Sequence, residues 1–256
     1  MNAGRQDIRF ALYSEQDFEK PGAVGRVLEH LMSAPLGLRP THYGYNEANE
    51  PITNMDAVVE MAVGGAASHA QGQRLGGVLL RSGQSCGYQV QWAKMDAPSF
   101  SLFFGSLERK APPSLEPRIA ALYDLLKSIA SIVQAVYGEV RDMSTPYSGV
   151  PVNLTKRLPD IPAVSIYGLP YVSMFGEQNL RKAPFHRIEQ LVGGRYWLEA
   201  SESVFERVAE ETKAAIRSHL GEDAFASDGK RLYRTGRAPH FDMSALRPLP
   251  RTGIVR

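Results

Sequence analysis

Three runs with strand composition follow one another closely: GGVLLR at 76–81, GYQVQWAK at 87–94 and SFSLFFGS at 99–106, with only SGQSC and MDAP between them. Connectors that short cannot carry a parallel crossover, which takes a dozen or more residues, so the runs are predicted to fold as an antiparallel meander. Helical patterns elsewhere supply cover for it. The longest, over 114–137, puts Ile119, Leu122, Leu125, Leu126, Ile129, Ile132, Val133 and Val136 on one broad stripe behind Pro112, Pro113 and Pro117.

The rest of the chain alternates in the same way. IRFALY at 8–13 reads as a strand, and 19–34 follows as a helix with Val24, Val27, Leu28, Leu31 and Met32 at helical spacing. THYGY at 41–45 is a short strand, Asn54 or Asp56 caps a helix running to Val63, and 64–77 is a loop. A short strand is expected at 139–143, irregular proline-rich chain at 146–170, a strand at 194–201, and a helix at 203–220 stopped by Gly221. YGLPYVSMFGEQN at 167–179 combines aromatics, glycines and a proline with almost no charge, the composition of a segment that is buried and turns. The predicted class is α+β, an antiparallel sheet with helices packed on it and a basic, irregular C-terminal tail. Residues 1–220 are expected to form a single α+β domain, with 221–256 as a basic extension. No internal repeat is apparent.

A hydrophobic content of 43% against 22% charged residues supports a buried core and excludes a largely disordered chain. The start MNAGRQDIRF has no basic-then-apolar leader, and no run approaches the roughly 18 apolar residues of a membrane helix. A cytoplasmic location without membrane contact is therefore expected. Cys86 is the single cysteine, which rules out an internal disulfide or a cysteine zinc site and fits a reducing compartment. Charge is uneven. Residues 229–256 hold seven Lys/Arg and one Asp, a balance of +6, so with a total of +2 the first 228 residues carry −4. The tail either meets an anionic partner or is a solvated extension pinned by its Leu and Pro residues. A mildly acidic body is not expected to bind nucleic acid directly.

Chemical motifs are sparse. Gly83, Ser85 and Gly87 satisfy G-x-S-x-G, but a nucleophile elbow is a strand-to-helix turn, and here a strand-like run follows. SGQSCG is better read as a hairpin connection. His186 and His219, with Asp142 or Asp160, are the residues a Ser85 hydrolase would need. His30, His42, His69, His186, His219 and His240 lack metal-ligand spacing, and Gly64-Gly65, Gly76-Gly77 and Gly193-Gly194 are turn doublets without a phosphate-cradle pattern. No catalytic group, metal or cofactor is predicted. Two carboxylate clusters remain. Glu206, Glu210 and Glu211 lie on a helix with Arg207 and Lys213 near enough to pair. Tyr43, Tyr45, Glu47, Asn49 and Glu50 share one loop, a mixture of aromatics and acids that suits a grip on a basic partner.

The order RPTHYGYNEANEP, QVQWAKMDAPSFSLFFGS, YGLPYVSMFGEQN and GGRYWLEASES resembles bacterial immunity proteins of polymorphic-toxin and type VI secretion systems. The pattern is similar to the family known as immunity protein 52 and the related type VI immunity group, over roughly residues 8–220. In that family a proline-aromatic step precedes a Phe-Gly pair and a short helix, as Pro170, Tyr171, Phe175 and Gly176 do here. The resemblance implies an antitoxin without enzymatic activity that binds a cognate effector, expected to be a nuclease acting in the cytoplasm. Tyr43, Tyr45, Glu47, Glu50 and Trp92 are the expected contacts, with Glu47 and Glu50 placed on the toxin's phosphate path. A serine hydrolase using Ser85 and a structural or adaptor subunit of a secretion apparatus are the alternatives.

Overall fold

The computed structural model describes residues 7–35, 37–64, 66–67, 74–83, 86–95, 97–108, 115–143, 153–225, 232–234 and 236–247. Alternation sets the first strand: β1 (Asp7–Ser14) turns Ile8, Phe10, Leu12 and Ser14 inward and keeps the residues between them nearer the surface. Pro21 opens α1 (Pro21–Met32), which buries Val24, Val27, Leu28 and Leu31 at the spacing of one helix face. β2 (His42–Gly44) and β3 (Glu50–Pro51) form a small antiparallel hairpin. The Asn54 side chain then accepts a hydrogen bond from the Asp56 N–H at 2.9 Å and starts α2 (Met55–Gly64), the capping role expected of one of these two residues. β4 (Ala66–Ala67), β5 (Arg74–Ser82), β6 (Cys86–Lys94) and β7 (Ser101–Glu108) follow. The predicted meander is present, with β5 and β6 paired antiparallel from Arg74↔Lys94 to Ser82↔Cys86 and β7 next to β6.

The later elements are α3 (Leu115–Ile132), β8 (Tyr137–Asp142), β9 (Val164–Tyr167), α4 (Leu169–Phe175), α5 (Glu177–Arg181), β10 (Arg187–Gln190), β11 (Tyr196–Glu199) and α6 (Glu210–Leu220). Short 3-10 turns occupy Glu222–Ala224 and Ser244–Leu246. Three expectations need correction. The long helix stops at Ile132, because Gln134 takes a left-handed conformation at φ 50°, and Tyr137 opens a strand instead of closing a helix. Residues 164–167, within the stretch expected to be irregular, form a strand whose four side chains are all buried, so they carry no alternation to read. The last helix begins at Glu210, since 203–209 run as turns before it.

The chain divides into two compact units. The first comprises Met1–Leu12, Ser106–Leu115 and Gln134–Phe241, and its strands run in the order β10-β11-β9-β8-β1. The second comprises Tyr13–Gly105, Glu116–Val133 and Asp242–Arg256, with the order β7-β6-β5-β2-β3 and β4 paired to β5. Every strand pair of resolved register is antiparallel, and α4 lies on β9 while α2 lies on β5 and β2, so the architecture is α+β.

Aromatic packing centres the first unit. Tyr167 and Phe175 lie 5.6 Å apart between ring centroids, Tyr167 and Tyr171 5.6 Å, Tyr137 and Tyr171 6.1 Å, and Phe175 stacks on Phe225 at 6.2 Å. Each such pair adds about 0.5–1.5 kcal/mol beyond area burial. The segment 167–179 is thus buried and turns as its composition suggests, with Gly176 at φ 82° joining α4 to α5 where a Cβ would be strained. None of the described helices is long and apolar enough to cross a membrane.

Candidate functional site

Four of the five residues expected at a partner surface sit on the β2–β3 hairpin of the second unit. Tyr43 and Glu50 are register partners across it, and Tyr43 also faces Leu80 of β5. Burial, aided by a hydrogen bond to the Glu50 carboxylate and its charge, holds the Tyr43 phenol above its ordinary value. Tyr43 is therefore an anchor, only 9% exposed, whereas Tyr45 stands out at 44%. The turn between the strands is closed by its own groups. Asn49 donates its N–H to the Glu47 carbonyl oxygen at 3.0 Å and its side-chain amide to the Glu47 carboxylate at 2.7 Å. Gly44 lies so close under this turn that a Cβ there would overlap the Glu47 carbonyl oxygen. The sequence folds this way because a glycine and an Asn can bring the backbone tightly back on itself. The product is an ordered projection bearing Tyr45, with Glu47 and Glu50 exposed beside it.

The acidic character extends beyond the hairpin. From Arg39 to Arg74 the sequence holds no other Lys or Arg but four carboxylates, Glu47, Glu50, Asp56 and Glu60, all four exposed. From the sequence Asp56 reads only as a candidate helix cap, and Glu60 carries no role. The signal that reveals them is the absence of cations over this stretch, which a net charge averaged over 228 residues conceals. Four acids here equal the whole −4 excess of the body.

Trp92 does not join this surface. It is 1% exposed, its indole N–H donates to the Ala62 carbonyl oxygen at 2.8 Å, and the Arg74 guanidinium lies over its ring at 5.9 Å. Beside it Lys94 bridges Asp17 at 2.8 Å and Glu19 at 2.9 Å, and Arg74 also pairs with Glu19. Burial alone would lower the Lys94 ammonium, but the two carboxylates outweigh it and hold the group above its ordinary value. This is a structural cluster: every charge in it has an opposite charge within reach.

The first unit contains a cavity of about 120 Å³, lined among others by Arg141, Asp142, Asp160, Glu206, Arg207 and Lys213. Asp160 binds Arg217 at 2.6 Å and Lys213 at 3.3 Å, and Lys213 also holds Glu210 at 3.0 Å. The pairing of Lys213 with the helix carboxylates is as the spacing suggests. Six of the lining side chains are charged, three of each sign, so the cavity selects neither cation nor anion.

Ser85 lies outside the described residues, as does His69. The flanks are informative: Ser82 and Cys86 pair across β5 and β6, so the connection carrying Ser85 joins two antiparallel strands, with no helix to make an elbow. The neighbouring Cys86 thiol is pushed up to about 11 by burial, against the lowering influence of Tyr88 and Arg118, and is not a thiolate nucleophile at neutral pH. In the first unit His186 is exposed, the His219 ring is 2.9 Å from the Asn179 carbonyl oxygen, and Asp160 is engaged by its two cations. Among the described residues no three His, Cys, Asp or Glu side chains are grouped to hold a metal ion. Of the tail, Arg234 and Arg237 pair at 3.3 and 4.0 Å with Asp223, itself in the extension, and the contacts to Tyr171 are made by Tyr233 and Phe241 instead of the expected Leu and Pro residues.

No family model matches the chain, and no curated protein does. Among solved structures it is similar to the Pseudomonas aeruginosa T6SS protein PA0821, with 10% identity over 84% of this chain and 75% of that one, at a TM-score of 0.52. The likeness is one of fold.

Proposed function

We propose that the protein is an immunity protein of a type VI secretion system, which binds a cognate effector and blocks it without catalysing a reaction. The observation that carries this reading is the β2–β3 turn: an exposed tyrosine and two exposed carboxylates, held in place by hydrogen bonds, at the head of a stretch free of cations. A pre-ordered turn loses little entropy on binding, and an aromatic anchor flanked by acids suits a basic partner. Nucleases present such a basic surface to attract DNA, so the effector is expected to be a nuclease acting in the cytoplasm, with Glu47 and Glu50 standing where phosphates would lie. The fold shared with a T6SS protein supports the same setting. Tyr43 supports the turn from below, and Trp92, being buried, is not part of the contact.

The test is co-expression with the toxin encoded beside it. The wild-type chain protects the cell and co-elutes with the toxin, while Tyr45→Ala combined with Glu47→Lys and Glu50→Lys weakens the complex at least tenfold, since each lost anchor or reversed charge costs about 1–3 kcal/mol. Absence of protection and of a complex for the wild type refutes the function. An unimpaired triple variant refutes the surface. Fluorophosphonate labelling abolished by Ser85→Ala would replace the proposal with a hydrolase, and selective capture of secretion-apparatus components would replace it with an adaptor.

A further inference from the structure

β10 ends the strand order of the first unit, and among the described residues nothing pairs along its outer side. Its inner side is fixed by the Leu191 N–H, which donates to the Arg195 carbonyl oxygen at 2.7 Å. Ladder bonds alternate along an antiparallel strand, so Arg187 and Glu189 bond inward to their partners Glu199 and Trp197, and Ile188 and Gln190 direct their N–H and C=O groups outward. Edge strands are ordinarily protected by shortness, charged side chains, a proline or a bulge. β10, RIEQ, is short and carries two charges of opposite sign, but it pairs in regular register without a proline or a bulge.

Its charges are instead self-complementary. Arg187 and Glu189 flank Ile188 on one face, and they already attract each other at 3.3 Å while 58% and 35% exposed. An antiparallel copy related by a two-fold axis at Ile188 sets Ile188 against Ile188 of the second copy, with both outward bonds formed. Arg187 then faces Glu189 of the second copy, and the reverse, at the non-hydrogen-bonded positions where side chains come closest.

We propose that the β10 edge is a docking site for a second copy of this chain, which joins the two sheets into one across a two-fold axis. A strand of four residues buries little area, so the dimer is weak and depends on concentration. It is carried by residues other than the effector-binding turn, and either can fail without the other.

Light scattering and sedimentation of the full chain over a wide concentration range test it. The wild type rises from one chain mass toward two. Glu189→Arg and Arg187→Glu each stay monomeric alone, because like charges now oppose, and an equimolar mixture of the two recovers the dimer mass. Ile188→Pro, which removes an outward N–H, also stays monomeric, and circular dichroism and urea midpoints verify that all three variants are folded. A wild type that is monomeric at every concentration overturns the proposal, as does a dimer that persists in each charge variant alone. Loss of toxin protection by Ile188→Pro in a protein that never dimerises would give the edge to the effector and equally overturn it.

Discussion

Asp160 shows how one side chain ties loop to helix. Burial by itself would raise its carboxyl, but the Ile161 N–H, Lys213 and Arg217 together outweigh it and hold the group below the ordinary 3.8. A carboxylate depressed in the folded state contributes stability that is complete above its unfolded value and fades as pH falls through the folded one. Asp160→Asn is therefore expected to cost about 1–3 kcal/mol at neutral pH, where Arg217 loses its carboxylate partner and Lys213 keeps only Glu210. Below roughly pH 4 the urea midpoints of variant and wild type should converge. A gap that stays constant down to pH 2 would show that the ion pair is not responsible. At this scale the sequence is legible where chemistry keeps a group at the surface, as for Glu47 and Glu50, whose charges resist burial. It is not legible for Trp92, because an indole suits a contact surface and a core equally well, and only the nearby Ala62 carbonyl oxygen and Arg74 made burial possible here.

Among the elements, α3 carries the clearest lesson. Its apolar stripe continues through Val133 and Val136, yet the helix ends at Ile132 with exposed Gln134 in a left-handed conformation at φ 50°. No glycine announces the stop. Gln134→Gly removes the Cβ strain of that conformation and is expected to stabilise the protein by about 0.5–1 kcal/mol, raising Tm by roughly 1–4 °C in a scanning melt. An unchanged or lowered Tm would mean that the conformation is not strained. β9 escaped notice for a different reason: buried on both faces, VSIY has no period of two to detect. The meander was readable because short connectors leave only one pairing direction, and the register Ser82↔Cys86 follows from the length of SGQSC.

For the whole molecule, residues after Gly221 take part in the core of the first unit. Phe225 is fully buried against Phe175, and the Leu158 N–H donates to the Ala224 carbonyl oxygen at 2.7 Å. Phe225→Ala is expected to cost about 3–5 kcal/mol in urea unfolding, the range for emptying a packed aromatic site. A cost under about 1 kcal/mol would show that this segment is only draped over the body. From its own residues the sequence determined the α+β class, the meander, the helix faces and the acidic turn, because periodicity, connector length and charge act between near neighbours. The division into two units, the destination of the tail, the burial of Trp92 and the edge of β10, unpaired among the described residues, were decided by tertiary structure alone. Each depends on which distant segment fills a given space, and that is settled only when segments far apart in the chain compete for the same contacts.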